Sequence, residues 1–295
     1  MAAAPGVQNG HGLDASGLRR RRAVNNAMTA LLTVVMIGVL AILLWVLGYV
    51  AVKGVSAINW TFLVDTPPGN ASIPGGGFAN GIVGSLIIVG IATAISVPIG
   101  IGAAIYLNEY GRSRFAGVVR FLTDVLLGVP TIVAGAFVYA LWVVNFGFSG
   151  YAGAFALSLV MVPLVVRSAE EMLRLVPHDL REASLALGVS RARTIVSIVL
   201  PTAAAGLITG VMLAVARAMG ETAPLLLTAL GNDLFMQTDP GQRMSTLSLM
   251  IFNSATGGYP EALARAWAGA LTLISIVLVL TVLARLISRR SAVRA

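Results

Sequence analysis

The stretch AVARAMGETAPLLLTAL, residues 214 to 230, sets Arg217 and Glu221 in a run otherwise apolar enough to lie in a bilayer. The two are four residues apart, so on a helix they share one face and can pair, although acid before base is the stronger order. A third such charge is Arg167, inside the apolar run that begins at Ala152. A central charge costs about 3 kcal/mol even on the lenient insertion scale, so such residues usually face a bundle interior or a water-filled path. The chemistry on offer is anion recognition, because the planar donors of guanidinium match phosphate oxygens where bidentate geometry matters. Counted from an inner end at Gly206, Arg217 lies roughly 17 Å and Glu221 roughly 22 Å along a helix axis. Arg167 lies roughly 12 Å from an inner end near Arg174. Two buried arginines with one acid leave a positive excess, which an anion path would exploit and a structural network would neutralise. A structural ion pair knitting helices together is the competing reading of Arg217 and Glu221.

Other chemistries lack their residues. The single lysine, Lys53, is followed by glycine, so the lysine and hydroxyl pair that closes a phosphate-cradling loop is missing. There is no Gly-x-Ser-x-Gly elbow and no His-Glu-x-x-His. Cysteine is absent, which removes disulfides, thiolate metal sites and cysteine nucleophiles, and the isolated His11 and His178 make no metal constellation. No catalytic residue, metal or cofactor is expected on this chain.

The elements that must position the charges are membrane helices. With 57% apolar and only 11% charged residues, the chain is too hydrophobic for a water-soluble domain. Residues 1 to 22 read as a disordered tail ending in Arg19 to Arg22, and 23 to 295 as a transmembrane domain. The apolar runs are Ala27 to Val52, Gly81 to Leu107, Phe121 to Val144, Ala152 to about Ala169, about Gly206 to Leu230, and Leu263 to Ile287. Six crossings follow, giving an all-α integral membrane fold. Basic residues crowd one side, at Arg19 to Arg22, Arg112, Arg114, Arg120, Arg174, Arg181, Arg191, Arg193, Arg289, Arg290 and Arg294, so that side is cytoplasmic and both termini lie there. The +8 balance is therefore topological and does not indicate nucleic acid. Asp124, one turn after Arg120, reads as its interfacial ion partner. Leu247, Met250 and Ile251 suggest an interfacial helix in an outer loop, and glycines at 81, 84, 90, 100, 102, 206 and 210 suggest close helix packing.

Between the fourth and fifth runs, VPHDLREASLALGVSRARTIVSIVLP carries helix punctuation. Pro177 suits a first helical position and Gly188 a left-handed stop, with Leu180, Ala183, Ser184 and Leu187 on one stripe. Ser190 can cap a second helix that Pro201 would kink or end. By composition this is an amphipathic pair on the headgroups, or a short helix for a groove on a partner.

Glu182, Ala183, Gly188, Ile198, Leu200 and Pro201 reproduce at matching spacing the signature of permease subunits of bacterial ABC importers, with Ser184 where alanine is usual. GGGFANGIVGSL (75 to 86), PLVVRSAEEMLRLVPHDLREASLALG (163 to 188) and ARAMGETAPLLLTA (216 to 229) further resemble the phosphate-importer permeases of the PstA type. That resemblance implies a type I (MetI-like) importer architecture in which residues 177 to 200, with Glu182, Ala183, Ser184, Leu187 and Gly188, couple to an ATPase. It implies a companion permease of the PstC type, a PstB-type ATPase dimer, a PstS-type external phosphate-binding protein, and inorganic phosphate as cargo. Arg167 and Arg217 are expected to line the translocation path, with Glu221 keeping Arg217 oriented. Two rivals stay open: a permease for another oxyanion, and a secondary transporter or channel needing no ATPase.

Overall fold

The computed structural model describes residues 15–111 and 113–292, so the tail before residue 15, Arg112 and Arg294 lie outside it. In order come α1 (Ala15–Val55), α2 (Trp60–Val64), α3 (Ala79–Glu109), α4 (Arg114–Gly128), α5 (Thr131–Val138), α6 (Val144–Phe146), α7 (Gly150–Arg174), α8 (His178–Ala186), α9 (Arg191–Thr194), α10 (Leu200–Gly220), α11 (Ala223–Leu226), α12 (Leu247–Thr256) and α13 (Pro260–Ala292). Wider π-helical turns join α5 to α6 (Tyr139–Val143) and α9 to α10 (Ile195–Val199). Among the described residues five helices are long and apolar enough to cross a bilayer, and six if α4 and α5–α6 count as one bent span. The protein is an all-helical, multi-pass membrane subunit.

The chain divides after Val52 into two compact units. In the first, α1 is apolar all round from Ala27 to Val52, and Leu32, Val34, Leu44 and Trp45 lie open. It begins at Ala15, so Arg19 to Arg22 sit in helix and not in the unstructured tail expected for 1 to 22.

In the second unit α3 and α7 form the centre, joined through Ile88, Val89, Ala92, Leu157, Met161 and Val165. Apolar burial offers little drive where lipid is the alternative, so close packing of small residues has to hold these helices. Gly100 shows how tight that packing is: a Cβ there would lie 2.6 Å from Val165 Cγ1 of α7. Gly206 and Gly210 admit Met172 and Ser168 of α7, whereas Gly90 and Gly102 have open space beside them, contrary to the packing role expected for them.

Three elements depart from the sequence reading. The third run is two helices meeting at 102°. Pro130 has no N–H and its ring clashes with a carbonyl four residues back, and Val129 before it is pushed to an extended conformation (φ −72°, ψ 130°). The fifth run does not span Gly206 to Leu230 either. A continuous helix runs from Arg191 to Gly220, and Glu221 is extended (φ −70°, ψ 131°). Pro224 explains the stop, since in a longer helix it could not bond to the Gly220 carbonyl and would collide with it. Pro201, by contrast, neither ends nor breaks its helix, because the wider turn just before it relieves the clash with the Ser197 carbonyl. Finally, α12 is no interfacial helix: Leu247, Leu249 and Met250 are fully buried, and it packs on α3 and α13.

Candidate functional site

The early stop of α10 puts Arg217 in its last turn, where the carbonyl end of the helix dipole favours a cation. Its Nε lies 3.4 Å from Oε1 of Glu221, the first residue beyond the helix. Glu221 is held from behind: its carbonyl accepts from Ser248 Oγ of α12 at 2.8 Å, and α12 is tied to α3 by Ser85 Oγ, which accepts from the Leu247 N–H at 2.8 Å. Arg217 lines a cavity of about 280 Å³ beside the α4–α5 bend, with Leu126, Leu127, Val129, Thr131 and Phe137 on that side and Leu159 and Val160 from α7. The bend at Pro130 thus borders the cavity that Arg217 lines.

Arg167 lies about two turns before the C-terminal end of α7, within reach of α4. Its Nε is 3.1 Å from Glu171 of the same helix, and Nη1 is 4.0 Å from Asp124 of α4. Asp124 and Leu127 are three residues apart, so one stripe of α4 faces both the Arg167 side and the cavity that Arg217 lines.

Two expectations fail here. Asp124 is not the partner of Arg120, which instead binds Glu170 at 2.8 Å. Nor are Arg167 and Arg217 a buried pair with one acid: their side chains are 42% and 52% exposed, and three carboxylates, Glu171, Asp124 and Glu221, lie within 4.0 Å of them. The inferred positive excess is therefore absent. What replaces it is a difference in bonding. The Arg217–Glu221 and Arg167–Glu171 pairs each lie along one stretch of chain, i to i+4, so neither knits two helices together. Such half-exposed pairs are worth at most about 1 kcal/mol. Among the described residues, Nη1 and Nη2 of Arg217 have no hydrogen-bond partner.

Arg120, Arg181 and Arg265 are instead engaged with backbone carbonyls, although Nε of Arg265 is buried without a hydrogen-bond partner among the described residues. Arg120 donates to Glu170 and to the Leu107 and Gly111 carbonyls. Arg181 donates to Glu109, Val176 and Leu173. Arg265, buried in α13, grips the carbonyls of Ala71, Ile73 and Gly75. The sequence reading missed Glu109, Glu170 and Arg265 as structural nodes. The Glu170–Arg174 spacing was the one visible sign, since these residues sit four apart and do pair.

In the segment 177 to 200, α8 is capped by Pro177, one position before the first helical place expected for it. Gly188 is left-handed (φ 77°), and the turn closes by Gly188 N–H to the Leu185 carbonyl and Val189 N–H to the Ser184 carbonyl. Ser190 stands at the expected cap of α9, without the side-chain bond. Glu182, Ala183 and Leu187 are exposed, Leu187 at 84%. Ser184 is not on that face: it is buried, 2.8 Å from Thr194 Oγ1, and fastens α8 to α9.

Residues 96–293 match the family described as binding-protein-dependent transport system inner membrane component. The chain is 44% identical over 270 residues to the phosphate transport system permease protein PstA of Yersinia pestis, covering 90% of each chain. It is 40% identical over 278 residues to PstA 1 of Mycobacterium tuberculosis strain CDC 1551 / Oshkosh, covering 91% of this chain and 90% of that one. The chain belongs to the PstA-type permease family. Solved importers share the fold of this PstA-type permease at lower identity. A chain of an alginate ABC transporter, captured with its pentasaccharide-bound periplasmic protein, superposes with a TM-score of 0.65 at 14% identity, over 92% of this chain and 97% of that one. A chain of the inward-facing MetNI methionine transporter does so at 0.58 and 18%, over 72% and 93%. The MetI-like architecture expected from the sequence is the one observed.

Proposed function

We propose that this PstA-type permease forms half of the membrane channel of an ATP-driven importer of inorganic phosphate, with both termini in the cytoplasm. The family supports the transport role, and the crowding of arginines at one end of the helices supports the orientation. The companion half is a PstC-type permease, a PstB-type ATPase dimer supplies the energy, and a PstS-type protein delivers the anion from outside. The chain binds no nucleotide, metal or other cofactor and performs no catalysis; its sequence lacks the phosphate-cradling loop that ATP hydrolysis of that class requires.

Arg217 carries the site assignment. A guanidinium half open on a cavity wall, with both terminal nitrogens free, can offer a fork to an oxyanion without breaking any contact that holds the fold. Glu221 fixes its direction and weakens its hold, so the anion is passed on and not trapped. Arg167, on the same side of α4, is the second contact along the path. At the cytoplasmic end, the exposed Glu182, Ala183 and Leu187 of α8, with the Gly188 turn behind them, dock in a groove of the ATPase. Ser184 sets the angle of α8 through Thr194.

The test is co-purification of the tagged chain from membranes, identification of the subunits it brings down, and reconstitution with them. ATP-dependent phosphate uptake unaffected by excess sulfate or molybdate is expected. Competition by either oxyanion would change the cargo, and uptake by the lone chain without nucleotide would remove the ATPase from the scheme.

A further inference from the structure

We propose that Arg181 with Glu109, and Glu170 with Arg120 and Arg174, are positioning residues that make α8 move as one body with the cytoplasmic ends of α3, α4 and α7. Displacement of the coupling helix then reaches Arg167 and Asp124 through these ends. The proposal rests on the reading of α8 as the helix that docks on the ATPase.

Arg181 of α8 reaches back over the Leu175–Pro177 turn. Its Nε is 3.1 Å from Glu109 Oε1, Nη1 is 2.6 Å from the Val176 carbonyl, and Nη2 is 2.8 Å from the Leu173 carbonyl. Glu109 is the last residue of α3, and Leu173 lies in the last turn of α7. The pair is largely shielded from solvent, at 12% and 15% exposure, so bulk water screens it little. One turn deeper, Glu170 of α7 is only 2% exposed. Its Oε1 accepts from Arg120 of α4 and from Arg174 of its own helix. Arg120 extends the link by donating to the Leu107 carbonyl of α3 at 2.6 Å. Four helix ends are therefore joined by charge-assisted bonds around a cavity of about 630 Å³ whose wall includes Arg120, Arg174, Arg181 and Glu182.

Well-packed apolar residues would hold such ends together as firmly as buried ion pairs do. Planar forks on fixed carbonyls add something apolar packing supplies less well, a defined orientation of one helix against another. A short helix that is pushed at its exposed face and has to move a bundle needs that stiffness. Towards α10 the link runs through the buried Ser184–Thr194 contact into the continuous helix Arg191–Gly220. Push α8, and α7 with Arg167 follows it.

The experiment uses the complete reconstituted importer and reads phosphate taken up per ATP hydrolysed. For Glu109→Gln, the ATPase subunits still co-purify, because the exposed face of α8 is untouched, and that ratio falls by about tenfold, within the range of typical coupling energies. Arg181→Leu lowers it at least as far, since the Val176 and Leu173 carbonyls also lose their donor, whereas Glu109→Asp, which keeps the carboxylate, retains most of the wild-type ratio. An unchanged ratio in Glu109→Gln, or a Glu109→Asp variant no better than Glu109→Gln, overturns the proposal. Should Glu109→Gln fail to accumulate, Arg181→Leu decides by the same ratio, an unchanged value there overturning the proposal. Leu187→Glu separates this from the docking assignment: full retention of the ATPase there would sink the docking of α8, whereas the ratio in the Glu109 variants judges the linkage.

Discussion

The arginines of this permease fall into two groups that the sequence does not distinguish. Arg120, Arg181 and Arg265 each donate to at least two backbone carbonyls and bridge separate segments of the chain. Arg167 and Arg217 bridge almost nothing: each leans on a carboxylate four residues along its own stretch, with half its side chain open. A guanidinium spent on carbonyls can only hold structure, because binding an anion would cost it those bonds. One with free nitrogens beside a cavity is available for a ligand. Unused donors beside the bend at Pro130, not depth of burial, leave Arg217 available for a ligand; Arg174 also pairs i to i+4 at 51% exposure, but its partner Glu170 is buried and shared with Arg120.

Substituting across this division gives the largest contrast. Arg217→Lys removes the planar fork and keeps the charge, so phosphate uptake per assembled importer falls roughly 10- to 100-fold, the equivalent of about 1.5–3 kcal/mol of charge-assisted bonding. Immunoblotting of the co-purified subunits is expected to show normal assembly. Wild-type uptake in that variant would erase the distinction. Arg265→Met does the reverse. Three carbonyls of the 71–75 loop lose their donor, which lowers stability by about 2 kcal/mol. The thermal midpoint drops and protease cuts this loop faster, while uptake per surviving molecule is unchanged.

Much of the architecture was legible because its causes are local and additive. Long apolar runs, crowded arginines and the Pro177–Gly188 punctuation each act over a few residues. Interrupted helices were misread for a physical reason: hydropathy is blind to the backbone. Gly128-Val129-Pro130 and Gly220 followed by Pro224 were visible breakers inside runs whose apolar character never falters. The site suffered from the same blindness. Arg217, Glu221 and Arg167 were picked out as charges in apolar runs, but their count of partners depends on Asp124 and Glu171, which helix rotation and the α4–α5 bend bring in. Ser184 was placed on the docking stripe because stripe arithmetic cannot see that α9 folds back over it.

A smaller effect sharpens the assignment of Glu221. The 3.4 Å contact is half exposed, so its loss costs at most about 1 kcal/mol, and Glu221→Gln lowers phosphate turnover about three- to fivefold with assembly intact. Turnover at or above wild type would show that the carboxylate does not orient Arg217.

The smallest change isolates the principle in two adjacent residues. Glu170 and Glu171 share a backbone, a charge and a helix, and differ by a rotation of about 100°. Glu170 turns into the protein, 2% exposed, and answers two arginines. Glu171 turns outward at 54% exposure and meets Arg167 in the weaker base-before-acid order. Neutralising Glu170 weakens the shared acceptor of Arg120 and Arg174, whose side chains are 32% and 51% exposed, and should cost about 1.5 kcal/mol, whereas Glu171→Gln should shift stability by less than about 0.5 kcal/mol. Thermal unfolding of the two single variants in one detergent reads this difference. Equal destabilisation would mean that Arg167 is held as tightly as Arg120, and a tightly held Arg167 would have no donors left for a passing anion.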